Sequence, residues 1–257
     1  KIKPLSNVKT AYVAPTFDRP EPVYEKDMSS SSQMIDVQPT WDLNYKGEGQ
    51  VVAILDTGLD TKHEAFQAAP ANSKYTIDTV QQVIDDKMLN ADVTQASSVY
   101  VNEKVPFAYD YADSDPDVNP TEKSLVNGNN HGTHVAGTVA ADCDKLTGVA
   151  PEAQLMIFKV FPDASSGAKT ADILAALEDC VRLGVDVVNM SLGSTNGFTD
   201  GSEEELSLSS VYDRIVEAGI SMSVSAGNSN SASENNARNS TALASNPDTA
   251  VIGSPST

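Results

Sequence analysis

The chain has 257 residues, enough to bury a substantial core, and its 17 basic against 36 acidic residues give a formal charge of −19. That balance repels phosphate backbones and anionic lipid, so it argues against nucleic acid and membrane surfaces as partners. The longest apolar runs, such as Val51 to Leu55, are strand-sized and imply no membrane insertion; the start, Lys1-Ile2-Lys3-Pro4, has no apolar signal-peptide core.

Residues 1–35 are rich in Pro, Ser and Lys and lack clear periodicity. They read as an extended N-terminal arm with the character of a pro-segment remnant. From Pro39 the pattern changes. Trp41-Asp42-Leu43 leads through Gly47-Glu48-Gly49 into an apolar strand at 51–55, followed by a short helical turn near Lys62 to Gln67. Residues 70–120 are polar and acidic, with a strand-like Val105 to Tyr109 inside. A helix is predicted from His131 to Ala141 and a strand from Gln154 to Val160, then a helix N-capped by Thr170 and ending near Leu183. Asp186 to Met190 is the next strand. Ser202 with Glu205 makes a capping box for a helix carrying Leu208, Val211, Tyr212 and Ile215 on one side. Ile220 to Val224 and Thr249 to Ile252 are further strands. Apolar strands alternating with helices predict an α/β fold: a doubly wound, mostly parallel sheet with helices on both faces.

In such sheets the ligand site lies at the carboxyl ends of the strands. Three motifs fall there: Asp56 at the end of the first apolar strand, Ser191-Leu192-Gly193, and Ala226-Gly227-Asn228. A fourth, Asn130-His131-Gly132-Thr133-His134, opens a helix. An Asp at the mouth of one strand and a His opening the next helix is the arrangement in which an acid orients a general base. Taken alone, Asp56-Thr57-Gly58 is also good turn chemistry, and His131 with His134 a His-x-x-His pair, but neither the His-Glu-x-x-His pattern nor a Cys/His cluster is present and no metal site is predicted. Gly132 and Gly137 are expected to permit close packing of the helix on the sheet. Asp60 reads as a turn acid and His63 as a surface residue.

Asp56 before His131, with these flanking residues, closely resembles the subtilisin-like serine proteases, over about residues 36–257. The resemblance is nearest to the bacterial cell-envelope branch, the lactocepin-type proteinases and streptococcal complement-cleaving peptidases, through Gly148 to Gln154, Asn246-Pro247 and Gly253 to Thr257. It implies that residues 36–257 are the N-terminal portion of a catalytic domain. Asp56 would be the orienting acid, His131 the base, and Asn228 the amide donor to the tetrahedral oxyanion. Ser191, Leu192 and Gly193 would pair with extended substrate, Ser166 and Gly167 (within Ser165 to Ala168) would form the opposite wall, and Ala226 and Gly227 would border the cleft. His134 would pack inside the helix.

Nothing after Asn228 looks like the family's Gly-Thr-Ser-Met-Ala segment. The expected partner is therefore a C-terminal segment or second chain carrying the catalytic Ser, with a protein or peptide as substrate. The 257-residue chain alone is expected to be inactive. A secreted or cell-surface location follows from the same resemblance. The alternative is a non-catalytic peptide-binding module on the same scaffold; keeping Asp56, His131 and Asn228 together favours the enzyme. A nucleotide site is disfavoured by the lack of any Gly-x-Gly-x-x-Gly or P-loop. No cofactor is established by the sequence. A structural calcium ion, frequent in secreted relatives, is left open, although Ala65 stands where its acid is expected and the loop Asp142 to Thr147 is short. The acidic stretch Asp110 to Asp117 has the composition to bind an ion, but such a stretch is more often solvated surface. Cys143 and Cys180 are expected to be structural, with Cys180 in the apolar register of its helix; a bond between them is compatible with an oxidising compartment.

Overall fold

The computed structural model describes residues 16–18, 28–122, 130–164, 167–193, 203–225 and 251–254. In chain order the elements are β1 (Thr16–Asp18), α1 (Met28–Met34), α2 (Gln38–Asp42), β2 (Val51–Asp56), α3 (Ile77–Asp86), β3 (Phe107–Asp110) and α4 (His131–Ala140). Then come the short hairpin β4 (Asp142–Cys143) and β5 (Leu146–Thr147), β6 (Gln154–Lys159), β7 (Gly167–Lys169), α5 (Thr170–Leu183), β8 (Val187–Met190), α6 (Glu203–Glu217), β9 (Ser221–Ser225) and β10 (Val251–Ser254).

Among the described residues the centre is a six-stranded sheet in the order β10-β9-β8-β2-β6-β3, every pairing parallel. Side-chain alternation explains why the interior stretches of β2 and β6, Val51 to Leu55 and Leu155 to Phe158, are apolar at every position. Val51, Ala53 and Leu55 of β2 pack into one core with Ile173, Ala176, Leu177 and Cys180 of α5. Val52 and Ile54 face the other way into a second core with Ala136 and Ala140 of α4. A strand covered on both faces has no polar positions to spare. The α/β fold with helices on both sides is as the sequence predicts.

The chain leaves β2 toward β3 and β6 but leaves β8 toward β9 and β10, so the adjacent strands β2 and β8 flank the point where the winding reverses. Open α/β sheets bind ligands at that point, beyond the carboxyl ends. Asp56 ends β2, and Ser191 follows β8 directly.

Several local expectations are corrected. The arm is not wholly extended: Met28–Met34 is helical, and β1 pairs antiparallel with β7. The acidic region contains α3, with Ile77, Val80, Val83 and Ile84 at helical spacing and a capping box between Thr76 and Thr79. Thr170 is the first residue of α5 rather than its cap, and Lys169 occupies the cap position without a side-chain hydrogen bond. Gly184, at φ 68°, ends that helix in the left-handed conformation, which glycine adopts without strain. Ser202 lies outside the described residues. Cys143 and Cys180 are both unpaired, and Cys180 is buried as expected.

Candidate active site

Asp56 is the last residue of β2 and almost wholly buried. Its Oδ1 accepts the Thr57 N–H at 2.7 Å, which fixes one carboxylate oxygen from its own chain. His131 opens α4, 75 residues further on, and its Nδ1 lies 2.8 Å from Asp56 Oδ1 and 3.0 Å from Oδ2. An ionised carboxylate can only accept, so in this pair Nδ1 carries the proton. Nε2 is then the nitrogen directed away from the acid, on a side chain 17% exposed. The acid is dry and the base reaches solvent.

Local sequence explains how the helix is brought there. The first N–H groups of a helix have no partner within it. The Gly132 N–H donates to Thr57 Oγ1 at 2.9 Å, and Thr133 Oγ1 accepts the Asp60 N–H at 2.8 Å. Gly132 sits so close to the Asp-Thr-Gly turn that an added Cβ would collide with the Gly58 carbonyl oxygen. Gly58, at φ 103°, is itself pressed against the Val118 carbonyl. Two threonines and two glycines therefore dock the base-bearing helix on the acid-bearing turn. The threonines are positioning residues that the motif reading passed over, although each stands one or two places from a singled-out residue.

Ser191 and Gly193 are partly exposed at the end of β8, whereas the Leu192 side chain is buried in the core and anchors the segment. The Leu192 carbonyl accepts the Ser225 hydroxyl at 3.1 Å, and Ser191 Oγ accepts the Asn189 amide at 3.1 Å. Gly167 begins β7, paired with Asp18 of the arm. Ser166, Ala226, Gly227 and Asn228 lie outside the described residues.

The turn Asp56-Thr57-Gly58 and the helix start His131-Gly132-Thr133 both lie within the range covered by the comparisons with known proteins. A family model described as the subtilase family, peptidase S8, matches residues 47–257. The chain belongs to the subtilase family. It is 35% identical over 216 residues to the PII-type proteinase of Lactococcus lactis subsp. cremoris, covering 80% of this chain and 10% of that protein. It is 31% identical over 208 residues to the minor extracellular protease Vpr of Bacillus subtilis (strain 168), covering 76% and 21%. The C5a peptidase of Streptococcus pyogenes serotype M3 is 31% identical over 157 residues, covering 58% and 12%. The chain thus spans about a tenth of the length of the lactococcal relative.

Other residues depart from what this subtilase sequence suggested. His134 is not packed inside the helix: it is partly exposed and lines a cavity of about 1010 Å³ between α4, the α1–α2 segment and the β4–β5 hairpin, with Trp41, His63, Phe66 and Leu146. That cavity lies outside the Asp56–His131 pair, which does not line it. His63 is exposed as expected, and its Nδ1 accepts the Ala65 N–H at 3.2 Å. Asp60 is a turn acid, accepting the Lys62 N–H at 3.0 Å. Gly137 is under no steric demand, since a Cβ there would meet Leu146 at an ordinary 3.6 Å. Asp110 is not solvated surface but 1% exposed, its carboxylate engaged by Lys159 and by the Ala112 and Asp113 N–H groups at 2.9 and 3.0 Å. Among the described residues no group of three His, Cys, Asp or Glu side chains is arranged to hold a metal ion, and Ala65 is buried apolar contact.

Proposed function

We propose that this chain supplies the acid, base and oxyanion residues of a secreted or cell-surface serine endopeptidase, and that the nucleophilic Ser comes from a downstream segment or a second chain. The observation that carries the reading is the His131 Nδ1 contact with both Asp56 oxygens, 2.8 and 3.0 Å. With Nδ1 held, Nε2 takes the serine proton as the hydroxyl attacks the peptide carbonyl. The resulting imidazolium, stabilised by Asp56, returns that proton to the leaving amine. Water then attacks the acyl-enzyme with Nε2 again as base, releasing the acid product and the free serine. Asn228 would donate to the oxyanion at each tetrahedral stage, a contribution worth roughly 10²–10³ in rate for subtilisin's asparagine.

Substrate would lie extended between Ser191-Leu192-Gly193 and the edge at Ser166-Gly167. The antiparallel pairing of β1 with β7, Asp18 with Gly167 and Thr16 with Lys169, supports that assignment in that β7 takes an extended neighbour, with substrate on its other edge or in the place of β1. The names of the relatives, two proteinases or proteases and a peptidase, support the same reaction class. Among the described residues no helix is long and apolar enough to cross a membrane. The relatives' names and the acidic surface favour a protein substrate met outside the cell.

The test uses a serine-directed fluorophosphonate on the full-length protein and on the 257-residue chain. We expect labelling of the former that is lost in His131→Ala, and none of the latter, because no Gly-Thr-Ser segment follows Asn228. Labelling of the 257-residue chain would refute the placement of the nucleophile, and a full-length protein that never labels would refute the protease reading.

A further inference from the structure

Three neighbouring strands finish at one level. Asp56 of β2 is in register with Lys159 of β6, and Lys159 with Asp110 of β3. Partners in a parallel ladder point to the same face of the sheet, so all three side chains emerge on the side covered by α4. Lys159 is 1% exposed. Its ammonium meets Asp110 most closely, Asp163 Oδ1 at 2.9 Å and Asp113 Oδ2 at 3.7 Å. Its methylenes run beneath the Asp-Thr-Gly turn, where a Cβ added to Gly58 would lie 3.0 Å from Lys159 Cδ. Asp113 Oδ2 also accepts the Asp163 N–H at 2.9 Å. Four residues after Asp163 the chain becomes β7.

We infer that Lys159 is a positioning residue which, through Asp163, fixes the peptide-accepting edge at Gly167–Lys169 relative to the Asp56–His131 pair. The inference rests on the protease reading above and names how its substrate edge is held. A buried ammonium must be paired, and here the pairing partners come from three separate places: a strand end, the loop after it, and the loop that leads to β7. Displacing Asp163 leaves part of that charge unmatched, so Asp163 itself has one favoured position. Burial is the largest influence on Asp110 and raises its carboxyl to about 6 in spite of Lys159. Burial would lower Lys159, but its hydrogen bond to Asp110 and its ion pair with Asp163 outweigh it and hold the ammonium above its ordinary range. At neutral pH the clamp is charged on both sides.

The tether matters because an edge displaced by about 1 Å can cost 10²-fold in rate on a substrate that uses it. The test takes the full-length protein with two substrates, an extended tetrapeptide amide and a single-residue ester that cannot reach the β7 edge. Asp163→Asn is the first variant, since Asp163 is about a third exposed and its loss strands no fully buried acid. We expect KM for the tetrapeptide to rise about 10-fold with kcat within about 2-fold, and the ester to be hydrolysed as by wild type. Lys159→Met should move the same parameter further, and Lys159→Arg should recover most of it. A general structural role would lower both substrates together, and that result, or an unchanged tetrapeptide KM, overturns the inference. Wild-type protein that hydrolyses neither substrate and takes no fluorophosphonate would overturn the protease reading instead, and the clamp with it.

Discussion

Asp56–His131 and Asp110–Lys159 are two acid–base pairs closing the same end of the sheet, on the neighbouring strands β2, β6 and β3, and they are built for opposite ends. In the first, one basic ring meets one acid and keeps its second nitrogen toward the cleft, with the side chain 17% exposed. In the second, one ammonium meets three carboxylates and is 1% exposed. The first can pass a proton to something outside the protein. The second spends its ammonium on three carboxylates from separate segments and holds those elements together. Strand register alone would make Asp56, Lys159 and Asp110 equivalent; what each side chain faces beyond its partner decides between chemistry and scaffold. A third buried base sharpens the point: among the described residues the Lys104 ammonium has only the Pro151 carbonyl as its hydrogen-bond partner, and burial lowers it to about 8.

The widest separation between the pairs should come from Asp56→Asn in the full-length protein. An amide cannot stabilise the imidazolium or fix the Nδ1–H tautomer, so kcat should fall by roughly 10⁴, with the fold intact. Steady-state kinetics on a peptide substrate checks this, and a loss under about 10-fold would mean that the carboxylate is not acting on the base.

Lys159→Met should instead appear first in stability. It leaves Asp110 buried without its counter-charge, a change that typically costs about 3–5 kcal/mol. The sign with pH follows from Asp110. Its folded value, about 6, already lies above the ordinary 3.8, so its unfavourable burial is fully present above pH 6 and is relieved as pH falls toward 3.8. Without Lys159 the carboxyl rises further. The variant's deficit should therefore be greatest at pH 7–8 and shrink at pH 5. Urea midpoints at both ends measure it, and a deficit that grows on acidification would contradict the assignment.

Gly132→Ala tests the docking of the first pair. The added methyl meets the Gly58 carbonyl at the helix start, where Thr57 and Asp56 leave no room to yield. Overpacking of this kind costs about 1–3 kcal/mol, and a displaced His131 should lower kcat by about 10²-fold. Unchanged kcat would show that the helix tolerates the shift.

Legibility in the sequence divided along the same line. The sheet, its faces and the Asp56–His131 pair were readable because each is announced locally: an apolar run, a helical period, a short motif of distinctive residues. The Lys159 clamp was not, because its partners stand 49, 46 and 4 residues away and Asp110 sits in a stretch whose composition suggests open surface. Only the strand register shows that Asp110 is interior. α3 was missed for a related reason, its few apolar residues being diluted by Asp and Gln, although Ile77, Val80 and Ile84 fall on one side. His134 reads as helix interior by its place in the motif, yet faces a cavity walled by the α1–α2 segment, which has no strong period of its own.

The smallest effect is expected at Gly137, five residues along the same helix as Gly132. Both are buried, both were expected to serve close packing, and the structure separates them. At Gly132 the neighbour is backbone, which cannot move without opening the acid–base pair. At Gly137 the nearest atom a Cβ would meet is a Leu146 methyl carbon at 3.6 Å, at the rim of the large cavity. Alanine is favoured over glycine by about 0.8–1.0 kcal/mol in a helix interior, through the backbone freedom that glycine loses on folding. Gly137→Ala should therefore stabilise the protein by up to about 1 kcal/mol and leave kcat and KM unaltered. Thermal denaturation beside the Gly132→Ala variant makes the comparison: opposite signs are expected. A destabilised Gly137→Ala would mean that the β4–β5 hairpin presses on α4 more closely than the Leu146 contact indicates.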